Sequence, residues 1–345
     1  MSKLSKIILY ITIAILGIWH ISLGLNRLLN KSVSHPFTIY SSILGDFITV
    51  DYIEGKGIRK SLAGQEFSDT DVDSLVPTLY VRQLVTDGRF PSIILGQEVT
   101  PQSIQRDNFS FRSTPRSINK PSIKLYPLLE SMSKRVDLKS PTDVFRITDS
   151  EIEFVIMNTN ERDDKKSKRF TDVFNKLGFK FPAKLVAGNP TTRKDYDNGY
   201  LILDSAGDLF HLKMTVGRPY VRKIHLTKGF EVKHLFVTEF TNKKNLGFLC
   251  DMNNKFYAIR NNTNYDIIQI DIPSFNPYTD YLTIIGNKFD WTVRVVSGND
   301  DLYYAIDNSD YRCIKSHEII YDDEPLPSFG FSSFEDEFIK PRFSI

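Results

Sequence analysis

Six histidines stand at positions 20, 35, 211, 225, 234 and 317. No pair has the close spacing that sets two metal ligands on one helix face. His211 lies between Phe210 and Leu212 in a run of strand character, where a hydrogen-bonded structural imidazole is the simpler reading. Ser131 and Ser133 flank Met132 without the glycines that expose a hydrolase nucleophile. There is no Gly-x-Gly-x-x-Gly turn and no phosphate-binding P-loop. Asp204 and Asp208 bracket a turn containing Gly207, but a calcium loop needs further oxygen ligands and a distal glutamate. Hairpin-turn chemistry accounts for both aspartates. Cys250 and Cys313 could pair in an oxidising compartment, but they fall in strands of neighbouring repeats, where side chains are often too far apart, and two cysteines cannot build a four-cysteine zinc site. These patterns imply no cofactor, no metal and no catalytic group.

What remains is a polar cluster: Arg82, Asp87, Arg89, Glu130, Arg135, Asp137 and Arg146. In one reading these are caps and ion pairs that fix the first half of the chain onto the second. In the other, Arg82, Arg89 and Arg135 form a recognition patch for a partner protein, because arginine is favoured at interfaces.

The elements that must position these groups can be read from periodicity. Phe47–Tyr52 has strand composition, with Gly55 and Gly57 after it. Apolar residues recur at helical spacing from Ser74 to Thr86, before Gly88. Thr100 and Pro101 open a short helix, Gln102–Asp107, and Leu125–Met132 reads as another. Asp143–Thr148 and Glu151–Met157 are a strand pair. Ser167–Leu177 carries the helical stripe Phe170, Val173, Phe174, Leu177, and the charge run Arg162–Arg169 before it reads as a solvated loop.

Beyond Pro182 a repeat emerges. Hairpins are expected at 199–213, 247–260 and 291–306, with Leu209, Phe256 and Leu302 equivalent at spacings of 47 and 46 residues. Strand-like runs flank each hairpin. Four strands per unit at this spacing suit a β-propeller blade, although an open β-meander with an α+β cap would give the same pattern. The expected fold is mainly β with helical insertions: a transmembrane helix, then a propeller-like array of four-stranded units. The chain divides into an anchor (1–31), a mixed α/β segment (32–182), blade-like repeats (183–320) and an acidic aromatic tail (321–345).

The anchor rests on Ile7–Leu25, 19 residues without charge, flanked by Lys3 and Lys6 before and by Arg27 and Lys31 after. As a helix this spans about 28 Å, close to the hydrocarbon thickness of a bilayer. A cleaved signal peptide would start the same way, with Ser22-Leu-Gly24 as a small-x-small cleavage site, but its apolar region is shorter. We therefore expect membrane contact through residues 7–25, a cytoplasmic N-terminus and an extracytoplasmic, periplasmic-side body. Of 44 Lys+Arg, four lie in the anchor region, leaving 40 against 42 Asp+Glu, a net −2 for residues 32–345. No nucleic-acid partner is expected of such a body.

Three stretches carry a resemblance: Arg82-Gln-Leu84 with Gly88-Arg-Phe-Pro91, then Leu128-Leu-Glu-Ser-Met-Ser133 with Arg135-Val-Asp-Leu138, then Pro141-Thr-Asp-Val-Phe-Arg146. With the anchor, they resemble an uncharacterised family of bacterial membrane-anchored envelope proteins, a domain of unknown function. The resemblance implies genes lying beside those of ABC transporters and carries over no catalytic residue. Two functions follow as expectations. One is a non-enzymatic binding or accessory subunit of an envelope complex, such as a transporter. The other is an envelope hydrolase or lyase acting on glycan or peptide, with Asp204 and Asp251 as its carboxylates.

Overall fold

Helix α1 (Lys3–Leu29) is charge-free from Ile7 to Ile21. None of the window Lys3–Ile21 is buried against the rest of the chain. Ile8 and Ile18 stay 56% and 61% exposed. The computed structural model describes residues 3–29, 36–53, 56–132, 137–298, 300–320, 328–332 and 340–344.

Three antiparallel strands follow: β1 (Phe37–Ser41), β2 (Asp46–Ile53) and β3 (Lys56–Ser61). Next come α2 (Asp69–Leu75) and α3 (Val81–Thr86), where periodicity reads one helix from Ser74 to Thr86. Val76, at φ −125° and ψ 59°, is not helical. It precedes Pro77, whose ring disfavours the helical conformation of the residue before it, and the helix is split there. Beyond β4 (Ile93–Ile94) and β5 (Gln97–Glu98), α4 (Pro101–Asp107) begins as expected. The Thr100 hydroxyl accepts the Ser103 N–H at 3.1 Å, and Pro101 occupies the first turn.

After β6 (Phe109–Ser113) and the single turn α5 (Pro115–Ile118), the stretch Leu125–Met132 is not helical. Tyr126 exchanges both backbone hydrogen bonds with Phe145 at 2.8 Å, and the Tyr200 hydroxyl donates to the Pro127 carbonyl at 2.7 Å. Long-range pairing outweighs local spacing there. Strands β7 (Asp143–Ile147), β8 (Ile152–Ile156) and β9 (Glu161–Arg162) form the next meander. Helix α6 (Asp164–Lys176) starts inside the charge run expected to be a loop, because Asp163 accepts the Lys166 N–H at 2.9 Å and caps it. Its Phe170 and Phe174 are fully buried, each worth about 1.5–3 kcal/mol of transfer free energy.

The repeats are three antiparallel sheets in simple strand order. The first holds β10 (Ala183–Gly188), β11 (Tyr200–Asp204), β12 (Leu209–Thr215) and β13 (Arg218–Ile224). The second holds β14 (Val232–Val237), β15 (Asn245–Asp251), β16 (Phe256–Arg260) and β17 (Ile267–Gln269). The third holds β18 (Tyr281–Gly286), β19 (Asp290–Ser297), β20 (Asp300–Asp307) and β21 (Cys313–Ile319), and β6 joins it beside β18 as a fifth strand. A hairpin of β22 (Ser328–Ser332) and β23 (Lys340–Ser344) lies in the tail, whose residues 321–327, 333–339 and 345 fall outside the described set.

The first two hairpins turn in the same way. Asp204 Oδ1 accepts the N–H of Ala206 and of Asp208, both at 2.9 Å. Asp251 Oδ1 accepts those of Asn253 and Lys255 at 2.9 and 2.8 Å. Gly207 and Asn254 hold the left-handed position at φ +92° and +61°.

Strand alternation sends side chains to both faces, so the sheets stack. Phe145, Phe154, Phe170 and Phe174 cover one face of the first repeat sheet through Ile202 and Phe210. On its other face, Leu201 and Leu209 meet Leu235 and Leu249 of the second sheet. Phe248 and Phe256 then face Trp291, Val293 and Ile306 of the third. Tyr303 and Ala305 point away from that core and pack on Tyr40 and Phe47 of the β1–β3 sheet. Five sheets thus form one open series, with the meanders from the mixed segment at its two ends. Among the described residues no closed ring is seen.

Candidate functional site

The arginines expected to act together do not share one arrangement. Arg82, on α3, is exposed and makes no side-chain hydrogen bond or ion pair among the described residues. Arg135 lies outside the described residues. Arg89, just past the Gly88 cap, is tied down. Its guanidinium donates to Asp87 Oδ2 at 2.7 Å, to Asp73 Oδ2 at 3.3 Å and to Ser74 Oγ at 3.1 Å. The Arg89 bond holds the Asp87 carboxyl below the usual carboxylate range. Arg59 pairs with Asp69 at 2.6 Å on the opposite wall, and these groups line a cleft of about 440 Å³ between α2, α3 and β3. Its charges answer one another internally.

Two other members of the cluster, Glu130 and Arg146, serve the fold. Glu130 accepts the N–H groups of Val216 and Gly217, both at 2.8 Å, and so clasps the turn between β12 and β13. Arg146 pairs across strands with Glu153. Asp204 and Asp251, the carboxylates of the hydrolase expectation, are occupied by backbone. Besides its turn bonds, Asp204 accepts the Lys180 N–H through Oδ2 at 2.9 Å, and Asp251 Oδ2 accepts the Tyr257 hydroxyl at 3.1 Å. Carboxylates held in this way stabilise turns. Cys250 and Cys313 are both free thiols.

Periodicity gives no sign of one nearly solvent-free cluster of charges. Lys194, in the loop between β10 and β11, lies 2.7 Å from Asp197 and 2.5 Å from Glu239, and their side chains are 6%, 3% and 2% exposed. Glu239 follows β14, so the triad joins two sheets. Its carboxylate also accepts the Asn198 N–H at 2.9 Å and the Asn189 amide at 2.7 Å. Buried charge of this kind is tolerable only when every donor and acceptor is met. A polar, loop-like sequence carries no signal for a partner 45 residues away.

Next to it, His211 Nε2 donates to the Asn198 carbonyl at 2.6 Å. A carbonyl only accepts, so Nε2 carries the proton. Burial pushes this histidine down to about 3 and keeps it neutral. Nδ1 must then accept the Tyr265 hydroxyl proton, at 3.0 Å. The Tyr265 oxygen in turn accepts from Tyr220, at 3.3 Å. The order of donors in this chain follows from one carbonyl. His234, on β14, is pushed down to about 4 by burial, and its Nδ1 is buried with no hydrogen-bond partner among the described residues.

The family called Domain of unknown function (DUF4857) matches residues 37–306. The chain belongs to this family. The DUF4857 match opens on the first residue of β1 and closes within β20, so it takes in strands of all five stacked sheets but leaves out α1, β21 and the tail. No curated protein matches the chain. Among solved structures it is similar to PorZ, a bacterial surface component of the type-IX secretion system of Porphyromonas gingivalis. The identity is 11%, with 92% of this chain and 32% of that one covered and a TM-score of 0.27. The chain thus spans about a third of the length of PorZ. It is also similar to dihydro-heme d1 dehydrogenase NirN in complex with DHE, at 11% identity over 79% of this chain and 68% of that one, with a TM-score of 0.26.

Proposed function

We propose that this DUF4857 protein is a membrane-tethered binding module of the cell envelope, acting as an accessory subunit of a membrane complex such as an ABC transporter. The observation that carries the reading is α1, whose Lys3–Ile21 window has the length and composition to cross a bilayer and is buried nowhere. It is joined to a body of stacked sheets that buries its own apolar faces. In this reading α1 is retained as the anchor, its N-terminus is cytoplasmic, and the body stands on the periplasmic side. The sheets form an incomplete β-propeller-like arc, three of its units with the four strands of a blade. Propeller-like bodies present loops and inter-sheet grooves to partners. Exposed Arg82 is the partner-facing member of the arginine set Arg82, Arg89 and Arg135.

Flotation with phosphatidylethanolamine–phosphatidylglycerol vesicles tests the tether. The full chain should float and resist a high-salt wash, and a chain lacking residues 1–31 should stay in the soluble fraction. Flotation of the truncated chain would overturn the single-anchor reading. The accessory role is tested by purification in mild detergent from the native membrane, where a stoichiometric transporter subunit should accompany the full chain and be depleted by Arg82→Ala. A full chain that purifies as a lone monomer would overturn it.

A further inference from the structure

A groove of about 750 Å³ runs between the outer strands of the first and second repeat sheets, β13 on one wall and β17 on the other. Alternation along β13 exposes Arg218 and Arg222, with Tyr220 between them on the same face. The Arg222 guanidinium lies 5.1 Å from the Tyr220 ring centre, a cation–π contact that fixes the arginine without neutralising it. Arg222, Lys223 and His225 line the groove, and Asp266 is the one carboxylate among its described lining residues. The Asp266 carboxylate accepts the Asn262 amide at 2.6 Å, and Lys223 is drawn to Asp208 at 2.7 Å. Arg222 has no carboxylate partner among the described residues.

Two aromatic rings complete the wall. Phe230 and Tyr257 meet edge to face with centres 5.0 Å apart. At the floor, Tyr265 adopts φ +54°, a left-handed conformation that a bulky side chain rarely takes. It is held there by its hydrogen bonds to His211 and Tyr220. Strain of this sort is kept where the surroundings over-determine a residue's position, and such residues cluster at ligand sites.

We propose that this groove binds a carboxylate-bearing saccharide. An unpaired guanidinium and a neighbouring imidazole suit carboxylates. Aromatic faces suit the apolar C–H faces of sugar rings, and the volume falls in the range of small-ligand pockets. A nucleic acid fits less well, because the body as a whole carries a net −2. The assignment is independent of what α1 tethers.

The test titrates the full chain in detergent with tetragalacturonate by calorimetry, with maltotetraose as the uncharged control and a single-stranded oligonucleotide as the competing polyanion. Tetragalacturonate should bind, weaken as salt is raised, and lose about tenfold in affinity in each of Arg222→Ala and His225→Ala, with Tm unchanged. Maltotetraose should not bind. Absence of tetragalacturonate binding, binding insensitive to both variants, or equal affinity for the oligonucleotide would each overturn the proposal. None of these results depends on a membrane or a protein partner, so the outcome is separate from that of the tether.

Discussion

Lys194 and Glu239 meet at 2.5 Å although they belong to different sheets, one in the loop before β11 and the other just after β14. The contact is nearly solvent-free and shares its lysine with Asp197. Truncating Lys194 leaves two buried carboxylates without their cation. Lys194→Met should therefore cost about 3–5 kcal/mol, measured by urea denaturation of the full chain in detergent. A loss close to that of an exposed ion pair would mean that water reaches the triad.

Two buried histidines give the protein an acid limb. His211 and His234 titrate at about 3 and about 4 when folded, because burial disfavours the imidazolium, against 6.5 for a free histidine. Below about pH 6.5 the unfolded chain binds protons that the folded chain refuses, so stability falls as pH falls towards the folded values. Urea midpoints from about pH 7.5 to about pH 4.5 should show this slope, and His234→Leu should flatten it. An unchanged slope in that variant would place the titration elsewhere.

Asp290 works in the opposite sense. It is buried under β1, where it accepts the Ser42 hydroxyl and lies 3.1 Å from the Asn287 amide, and burial pushes it up to about 6 from 3.8. Its folded pKa is raised, so the folded state holds a proton in the window between the two values. Stability from this group is lost as pH rises through about 6. Asp290→Asn should add roughly 2–3 kcal/mol at neutral pH, and the gain should vanish below about pH 4. An Asn variant less stable at neutral pH would show that the ionised carboxylate is needed by its neighbours.

Gly207 has open space where a Cβ would stand, so any cost of substitution is conformational. At φ +92°, valine should cost on the order of 1–3 kcal/mol, read from Tm, whereas asparagine should be milder, as Asn254 already shows in the next repeat. Equal losses for the two variants would point to a steric cause.

Arg89 and Arg82 should separate cleanly. Arg89→Ala removes bonds to Asp87, Asp73 and Ser74 and should lower Tm, whereas Arg82→Ala should leave it unchanged. If Arg82→Ala were the more damaging, the division into a fold-holding and a free arginine would fail.

The repeat sheets are legible in the sequence because a hairpin is a local object. Asp204 to Gly207 and Asp251 to Asn254 each state their own turn, since an aspartate reaches amides two and four residues on and a glycine or asparagine accepts positive φ. The charge-free run of α1 is equally local, for length and composition alone give its match to a bilayer. Where local signals compete, the outcome changes. Pro77 cuts a helix that apolar spacing would continue, and Leu125–Met132 gives up helical spacing to pair Tyr126 with Phe145.

Tertiary structure alone decides the remainder. Strand β6 carries no mark that it will lie beside β18, some 170 residues later, because a strand edge pairs through backbone atoms common to every residue. Lys194, Asp197 and Glu239 look like surface polar residues until the sheets close over them, and the donor order from Asn198 through His211 and Tyr265 to Tyr220 exists only once two strands and two loops converge. Sequence by itself determined the units, because their turns, stripes and apolar run are set by neighbours along the chain. Only the stacking of those units determined which charges are buried, which arginine is left free and where a groove opens, because these depend on surfaces brought together from distant parts of the chain.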